Sequence, residues 1–326
     1  MDELAAGRNF KLIAAGAAVG LVYGLAVRLG SRLYPASDLF GVMTVGFMLF
    51  LPFAIGFTTI FVIERRQAQP VWIWFLLPWI PVVAGELATL AFFIEGFICV
   101  VMFTPIALGA SSVGGAAAGL IARLVRSRRS NNATLACVLC LPLLLSSIEP
   151  HFPTQHELRM VESVIDIQAP PDTVWRNIER VPRIDPAELQ PSWSHTIGFP
   201  NPVEATLSAE GVGGVRHASF EGGVLFIETI DEWEPLRRLG FSIHAQPIPP
   251  TTLDEHVTVG GRFFDVLYGE YVLEPLPGGT TRLHLLSRHR VSTDFNWYAH
   301  LWTDAVMRDL QKRILQVVKN RAQTGG

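Results

Sequence analysis

His217 and Glu221 fall on one parity of an extended stretch, and Glu228 stands on the stretch that follows. A His–Glu pair facing a cavity suits general acid/base work, because imidazole titrates near neutral pH and a carboxylate can orient or accept its proton. Facing water across a hairpin, the same residues are only solvated surface, and that is the plainer reading. His300 and Asp304 stand one helical turn apart and are therefore neighbours. An Asp orienting a His is a known catalytic arrangement; an isolated surface hydrogen bond uses the same two residues. His284, Arg288 and Arg290 share a parity opposite the more apolar Leu283, Leu285, His289 and Val291, which predicts outward arginines. Cys137 and Cys140 form a CxxC inside an apolar run with no His nearby, so they read as packing residues. The sequence contains no HExxH, no zinc-spaced Cys/His set, no P-loop and no GxSxG. No metal and no cofactor are expected.

These candidates all lie in the second half of a chain of two compositions. Residues 1–148 carry six acidic and ten basic side chains and all three Cys; the remainder is acidic and holds all nine His. The first part is built of apolar runs: Leu12 to Val27, Leu39 to Ile63, about Val71 to Phe92, Phe97 to Leu120, and the shorter Ala133 to Ile148. Their lengths predict about five membrane spans, kinked at Pro78, Pro81 and Pro105. Glu86 and Glu95 bracket a turn and are expected at a solvated or interfacial position, with no paired charges inside a span. Gly115 and Gly119 form a GxxxG that reads as close helix packing. Arg8, Lys11, Arg65, Arg66, Arg123, Arg126, Arg128 and Arg129 fall on one side and Arg28 and Arg32 on the other, so the first set is expected inside. If Ala133 to Ile148 crosses, the second half is extracytoplasmic; if it only dips into the interface, that half is cytoplasmic. Three Lys against 23 Arg fits a GC-rich bacterial source, and hence an inner membrane.

Residues 149–159 read as a polar linker and 160–326 as a soluble domain without a basic footprint for nucleic acid. Met160 to Ile167 alternates as a strand; Thr173 to Val181 reads as a helix after Pro171-Asp172; Pro186 to Leu189 is a weaker helical turn. Strands are predicted at Glu204–Glu210, Val215–Phe220, Val224–Trp233, Arg238–Ala245, Glu255–Val259, Arg262–Leu273 and Thr280–Val291, split by Gly and Pro turns. The inward side of Arg262–Leu273 stays open, since both its faces carry apolar residues. Phe295 to Ala322 is a long helix with Asp294 as N-cap. Leu301, Trp302, Ala305, Val306, Leu310, Ile314, Val317 and Val318 make its apolar face; Arg308, Asp309, Lys312, Arg313, Lys319 and Arg321 make the opposite one. Short connections require antiparallel pairing, and a curved sheet closing over that helix buries both faces.

The opening VESVIDIQAPPDTVW, the strand pair running through GGVRHASFEGGVLFIETIDEWEPLRRLGF and the long C-terminal helix together resemble the START-like (SRPBCC) superfamily, whose bacterial members include polyketide cyclase/dehydrase-like proteins. The resemblance covers about Met160 to Ala322. It implies a helix-grip α+β fold around an apolar cavity, following an α-helical membrane bundle that resembles no family. It implies a hydrophobic small molecule or lipid as ligand but no single activity. Inward strand residues such as Phe226 and Phe264, with Trp297, Tyr298, Leu301 and Trp302 from the first helical turns, are the expected lining. Three functions follow as expectations: a binding module held at the lipid bilayer; an enzyme on an apolar polyketide-like substrate using His217, Glu221, Glu228 or His300; or a scaffold joining the bundle to a protein partner.

Overall fold

The protein is described by a computed structural model over residues 2–33, 43–124, 132–249, 253 and 256–324. Leu39 to Val42, Arg126, Arg128, Arg129 and Glu255, used above, lie outside them. The chain divides into two compact units, Met1–Thr154 and Gln155–Gly326.

The first unit contains α1 (Asp2–Leu33), a π-helical turn (Gly46–Phe50) running into α2 (Leu51–Glu64), α3 (Val71–Leu76), α4 (Trp79–Ala91), α5 (Phe97–Leu124) and α6 (Asn132–Ile148). Among the described residues, five helical stretches are long and apolar enough to cross a membrane: Phe10–Gly30, Gly46–Glu64, Val71–Ala91, Phe97–Leu124 and Ala133–His151. Pro78 separates α3 from α4, where its ring is compatible with a helix start but not with an interior. The close packing foreseen at Gly115 and Gly119 is present, because a Cβ on Gly119 would run into the Trp74 ring.

One expectation for this unit fails: Glu86 is buried rather than solvated and accepts a hydrogen bond of 2.9 Å from the Thr104 hydroxyl. Beyond the ends of the expected spans, charges are paired: Arg28 meets Glu95 at 2.6 Å and Arg123 meets Glu64 at 3.0 Å. Both pairs sit near helix ends, and hydropathy along single segments carries no information about such cross-helix partners.

The second unit is one antiparallel sheet of seven strands: β1 (Glu157–Ile167), β2 (Pro202–Leu207), β3 (Val215–Phe220), β4 (Leu225–Glu234), β5 (Arg238–Ala245), β6 (Phe264–Leu276) and β7 (Thr280–Val291). Their order is β1-β7-β6-β5-β4-β3-β2, so six strands form a meander and the first returns beside the last. The β6–β7 turn, residues 277–279, uses Gly278 and Gly279 at φ 82° and 73°, left-handed backbone that glycine adopts without steric cost. Between β1 and β2 lie α7 (Pro171–Glu179) and α8 (Trp193–Thr196), and α9 (Asn296–Thr324) ends the chain against β1, β7 and α7. A curved antiparallel sheet gripping its C-terminal helix is the helix-grip architecture that the sequence predicts.

Three details differ. Residues 256–259 form no strand; Val259 makes only an isolated bridge to Phe264. A bulge between Val266 and Tyr268 moves β6 by one residue against β7. Val266 faces in before the bulge and Tyr271 and Leu273 after it, so both parities of this strand reach the core. The buried face of α9 also takes in two polar residues that the expected one left out. Its buried stripe is Asp304, Met307, Gln311, Leu315, Val318 and Ala322, while Leu301 is exposed. Two polar residues can occupy that stripe because the sheet supplies their partners. Gln311 donates to the Val161 carbonyl (3.0 Å) and to Ser287 Oγ (2.9 Å) and accepts from Ser163 Oγ (2.9 Å). Asp304 receives Arg159 Nη2 at 2.6 Å. A buried polar group with its bonds made is tolerated where an unpaired one is not.

Candidate functional site

The core of the second unit is incomplete, and the gap is a cavity of about 150 Å³ between the sheet and the middle of α9. Its apolar wall comes from residues such as Phe226, Phe241 and Phe264 on the sheet and Met307, Leu310 and Ile314 on the helix.

One polar group is set into this wall. Pairing across the Gly222–Gly223 turn puts Arg216 opposite Glu228, and both side chains point inward with Ala218 and Phe226. Arg216 is 3% and Glu228 5% exposed. Arg216 Nη1 donates to Glu228 Oε2 at 2.6 Å, and the guanidinium lies 5.3 Å from the Phe241 ring centroid. Arg216 Nε, also buried, has no hydrogen-bond partner. Burial works against the guanidinium charge, but the charges of Glu228 and Tyr271 outweigh burial and hold its pKa above the ordinary value. Burial pushes the Glu228 carboxyl up, with Arg216 opposing it, and burial likewise raises the Tyr271 hydroxyl. The arrangement is a fixed, desolvated cation at the edge of an apolar space, with one N–H left to give.

The residues singled out from sequence divide. Glu228, Phe226 and Phe264 line the cavity. His217 sits on the outward parity of β3 and is exposed. Glu221 is turned away to hold Asn201, through the Asn201 backbone N–H (3.0 Å) and its amide (3.1 Å). These bonds oppose the burial that would raise its pKa, and with His195 and Arg313 nearby its carboxyl ends below its usual value. Trp297, Tyr298, Leu301 and Trp302 are not in the lining; Trp297 and Leu301 are exposed, and Trp302 packs against Trp193. The cavity is met by later turns of α9 than the aromatic first ones.

The His300–Asp304 pair is replaced. Asp304 turns to Arg159 and to His289, whose Nε2 lies 3.4 Å from Asp304 Oδ1, while His300 Nδ1 has no partner. His289 is fully buried against the Phe264 ring; burial lowers its pKa to about 4, so it is neutral at pH 7. It lies outside the cavity lining and has a packing role.

Arg216 was missed, although a signal existed. Closing the hairpin on the three residues Glu221–Gly223 pairs 219 with 225 and therefore 216 with 228, which sets opposite charges directly across a strand pair.

The fold and the cavity define this unit as a helix-grip domain with a partly open, largely apolar pocket. The chain has no match among protein-family models or curated proteins. Among solved structures it is similar to the Zhui aromatase/cyclase from Streptomyces sp. R1128, with 15% identity over 52% of this chain and 97% of that chain and a TM-score of 0.34. It is similar to a START superfamily protein from Mycobacterium smegmatis, with 11% identity over 53% and 100% and a TM-score of 0.34. A third is DynU16, from the dynemicin biosynthetic locus, with 18% identity over 51% of this chain but only 48% of that chain and a TM-score of 0.32. At these identities the strand order and the placement of α9 carry the architecture, and the neighbours add no argument about activity.

Proposed function

We propose that the second unit binds a small apolar molecule bearing one hydrogen-bond acceptor, and that the apolar helices of the first unit hold it at a bilayer. The observation that carries this reading is Arg216: a buried guanidinium with an unpartnered N–H at the edge of a largely apolar cavity. An orphaned buried donor costs about 1–3 kcal/mol, which an acceptor on the ligand would recover. The volume sets a scale, since a cavity of about 150 Å³ accommodates benzene. A lipid chain would need the walls to move. Five membrane crossings would put the binding unit on the extracytoplasmic side of a bacterial inner membrane, beside the bilayer in which apolar ligands partition.

Two probes of similar size test the reading on the full chain in nanodiscs, followed by fluorine NMR. 4-Fluoroacetophenone has a carbonyl acceptor and 4-fluorocumene does not. The ketone is expected to bind more tightly, by about tenfold for one recovered hydrogen bond, and Arg216→Met is expected to erase the difference. Equal affinity for the two probes in the wild type would remove Arg216 from the account.

A second reading rests on Glu228, a buried carboxyl within the same lining, pushed toward the protonated form by burial. With Tyr271 beside it, acid–base chemistry on a carbonyl compound would have its groups in place. That reading predicts turnover of the co-purified ligand, lost in Glu228→Gln while binding survives. A ligand recovered unchanged after prolonged incubation with the wild type excludes it.

A further inference from the structure

The cavity wall opposite the sheet is made in part by residues 182–201, the connection between α7 and β2, which contributes Ile184, Ser194, Phe199 and Pro200 to the lining. Its attachment is unusual for a piece of core. At one end Ile184 N–H bonds the Val203 carbonyl, and at the other the Asn201 carbonyl accepts from Glu221 N–H. Between them, among the described residues, every backbone–backbone hydrogen bond of 185–200 stays inside the segment, in the turn at Pro186–Glu188 and in α8 with the turn that follows it.

What fastens this stretch to the rest of the unit is largely polar side chains of α9. Asp309 accepts hydrogen bonds from Ser192 Oγ and from Ser194 Oγ (2.6 Å). Arg313, one turn on, donates to Asn201 Oδ1 and to the Gln190 carbonyl (2.8 Å). Arg321, two turns further, holds Glu188 (2.6 Å) and the carbonyls of Pro182 (2.9 Å) and Arg183 (3.1 Å). Ile184 and Leu189 also pack on the core and Trp193 on Trp302, but a stretch whose middle has no share in the sheet ladder can leave as a unit when latches and contacts are given up together.

We propose that residues 182–201 are a cover through which an apolar ligand reaches the cavity, latched shut on α9 by Asp309, Arg313 and Arg321. The proposal rests on the cavity being a binding site. It names the wall that yields to a ligand too large for a partly open cavity of about 150 Å³. Arg313 has a double position, lining the cavity while latching the cover, with a buried Nε that has no partner. An acceptor on the ligand that reaches this N–H steadies the guanidinium in its latching pose, so occupancy favours closure.

Hydrogen exchange and binding kinetics on the full chain in nanodiscs test the cover. Amides of 186–200 are expected to exchange at least about tenfold faster than those of 283–291 in β7, which open only with the sheet. Arg321→Met, which leaves the cavity lining intact, should speed exchange in 186–200 alone. It should also raise the association and dissociation rates of 4-fluoroacetophenone together, by about threefold or more, with the dissociation constant unchanged. Saturating ketone should slow exchange in 186–200 in the wild type and less so in Arg313→Met. Exchange of 186–200 in step with β7, or unchanged binding rates in Arg321→Met when its cover does open faster, overturns the proposal. Failure of the wild type to bind the ketone overturns the cavity reading instead, and the exchange pattern tells the two failures apart.

Discussion

Replacing Glu228 by Gln tests the electrostatics of the cavity at their most exposed assumption. Arg216 and Glu228 are 3% and 5% exposed and meet at 2.6 Å, so each is stable where it stands only because of the other. Gln keeps the volume and an acceptor but removes the charge, and the guanidinium is left desolvated beside Phe241 and Tyr271. Removing one partner of a buried pair costs about 3–5 kcal/mol, a large part of a stability of about 5–15 kcal/mol. Arg216→Met should cost a similar amount, for the reciprocal reason. The double replacement Arg216→Met/Glu228→Leu removes both desolvation penalties, and its stability is expected within about 2 kcal/mol of wild type. Urea unfolding of the full chain in detergent, with pulse proteolysis reporting cleavage within 155–326, measures all three. A Glu228→Gln variant within about 1 kcal/mol of wild type, or a double variant as unstable as the two single effects added, would refute the reasoning.

Other expectations follow from the same geometry. His289, with a pKa lowered to about 4 by burial, stays neutral while the unfolded chain protonates near 6.5. The unfolded state therefore binds the extra proton between those values, and stability present above pH 6.5 falls as pH drops toward 4, by up to about 3 kcal/mol. Unfolding measured from pH 4 to 7 should show this loss in the wild type and a flatter profile in His289→Leu; parallel profiles contradict it. Gln311→Leu strands Ser163 Oγ, Ser287 Oγ and the Val161 carbonyl and should cost about 2–3 kcal/mol in the same assay; a neutral substitution would show that water replaces the amide. Gly119→Leu drives a side chain into the Trp74 ring and should lower the melting temperature of the first unit, followed by exchange of α5 peptides, without altering exchange in β7. A reporter fused after Gly326 is expected to be active only in its extracytoplasmic form, and activity of a cytoplasmic reporter would mean that Ala133 to Ile148 does not cross.

The elements of the second unit were legible because period-two and period-3.6 patterns reflect one-sided burial, and seven of the predicted strands stand within a few residues of their observed places. The site was less so, for three physical reasons. On β3 the parity that suggested chemistry, His217 and Glu221, is the wet one, and the ionisable residue of the dry parity is Arg216, whose type reads as surface until its register with Glu228 is drawn. On β6 the bulge at Val266/Tyr268 breaks the alternation that would have shown which face is inward. On α9 apolarity put Leu301 on the core face, while the stripe that is buried runs through Asp304 and Gln311. It does so because the sheet happens to present Arg159, Ser163 and Ser287 to them. Polar complementarity across 145 residues or more leaves no local trace.

The central claim is that the space between sheet and α9 is a ligand site. Native mass spectrometry of the full chain released from nanodiscs, comparing wild type with Ala218→Leu, tests it most directly, because Ala218 lies in the lining and the added methyl groups occupy the cavity. The account predicts one apolar adduct per wild-type chain, or one after incubation with 4-fluoroacetophenone, and its loss from Ala218→Leu with folding retained. A wild type that stays empty under both conditions, or an adduct held equally by both proteins, would contradict it.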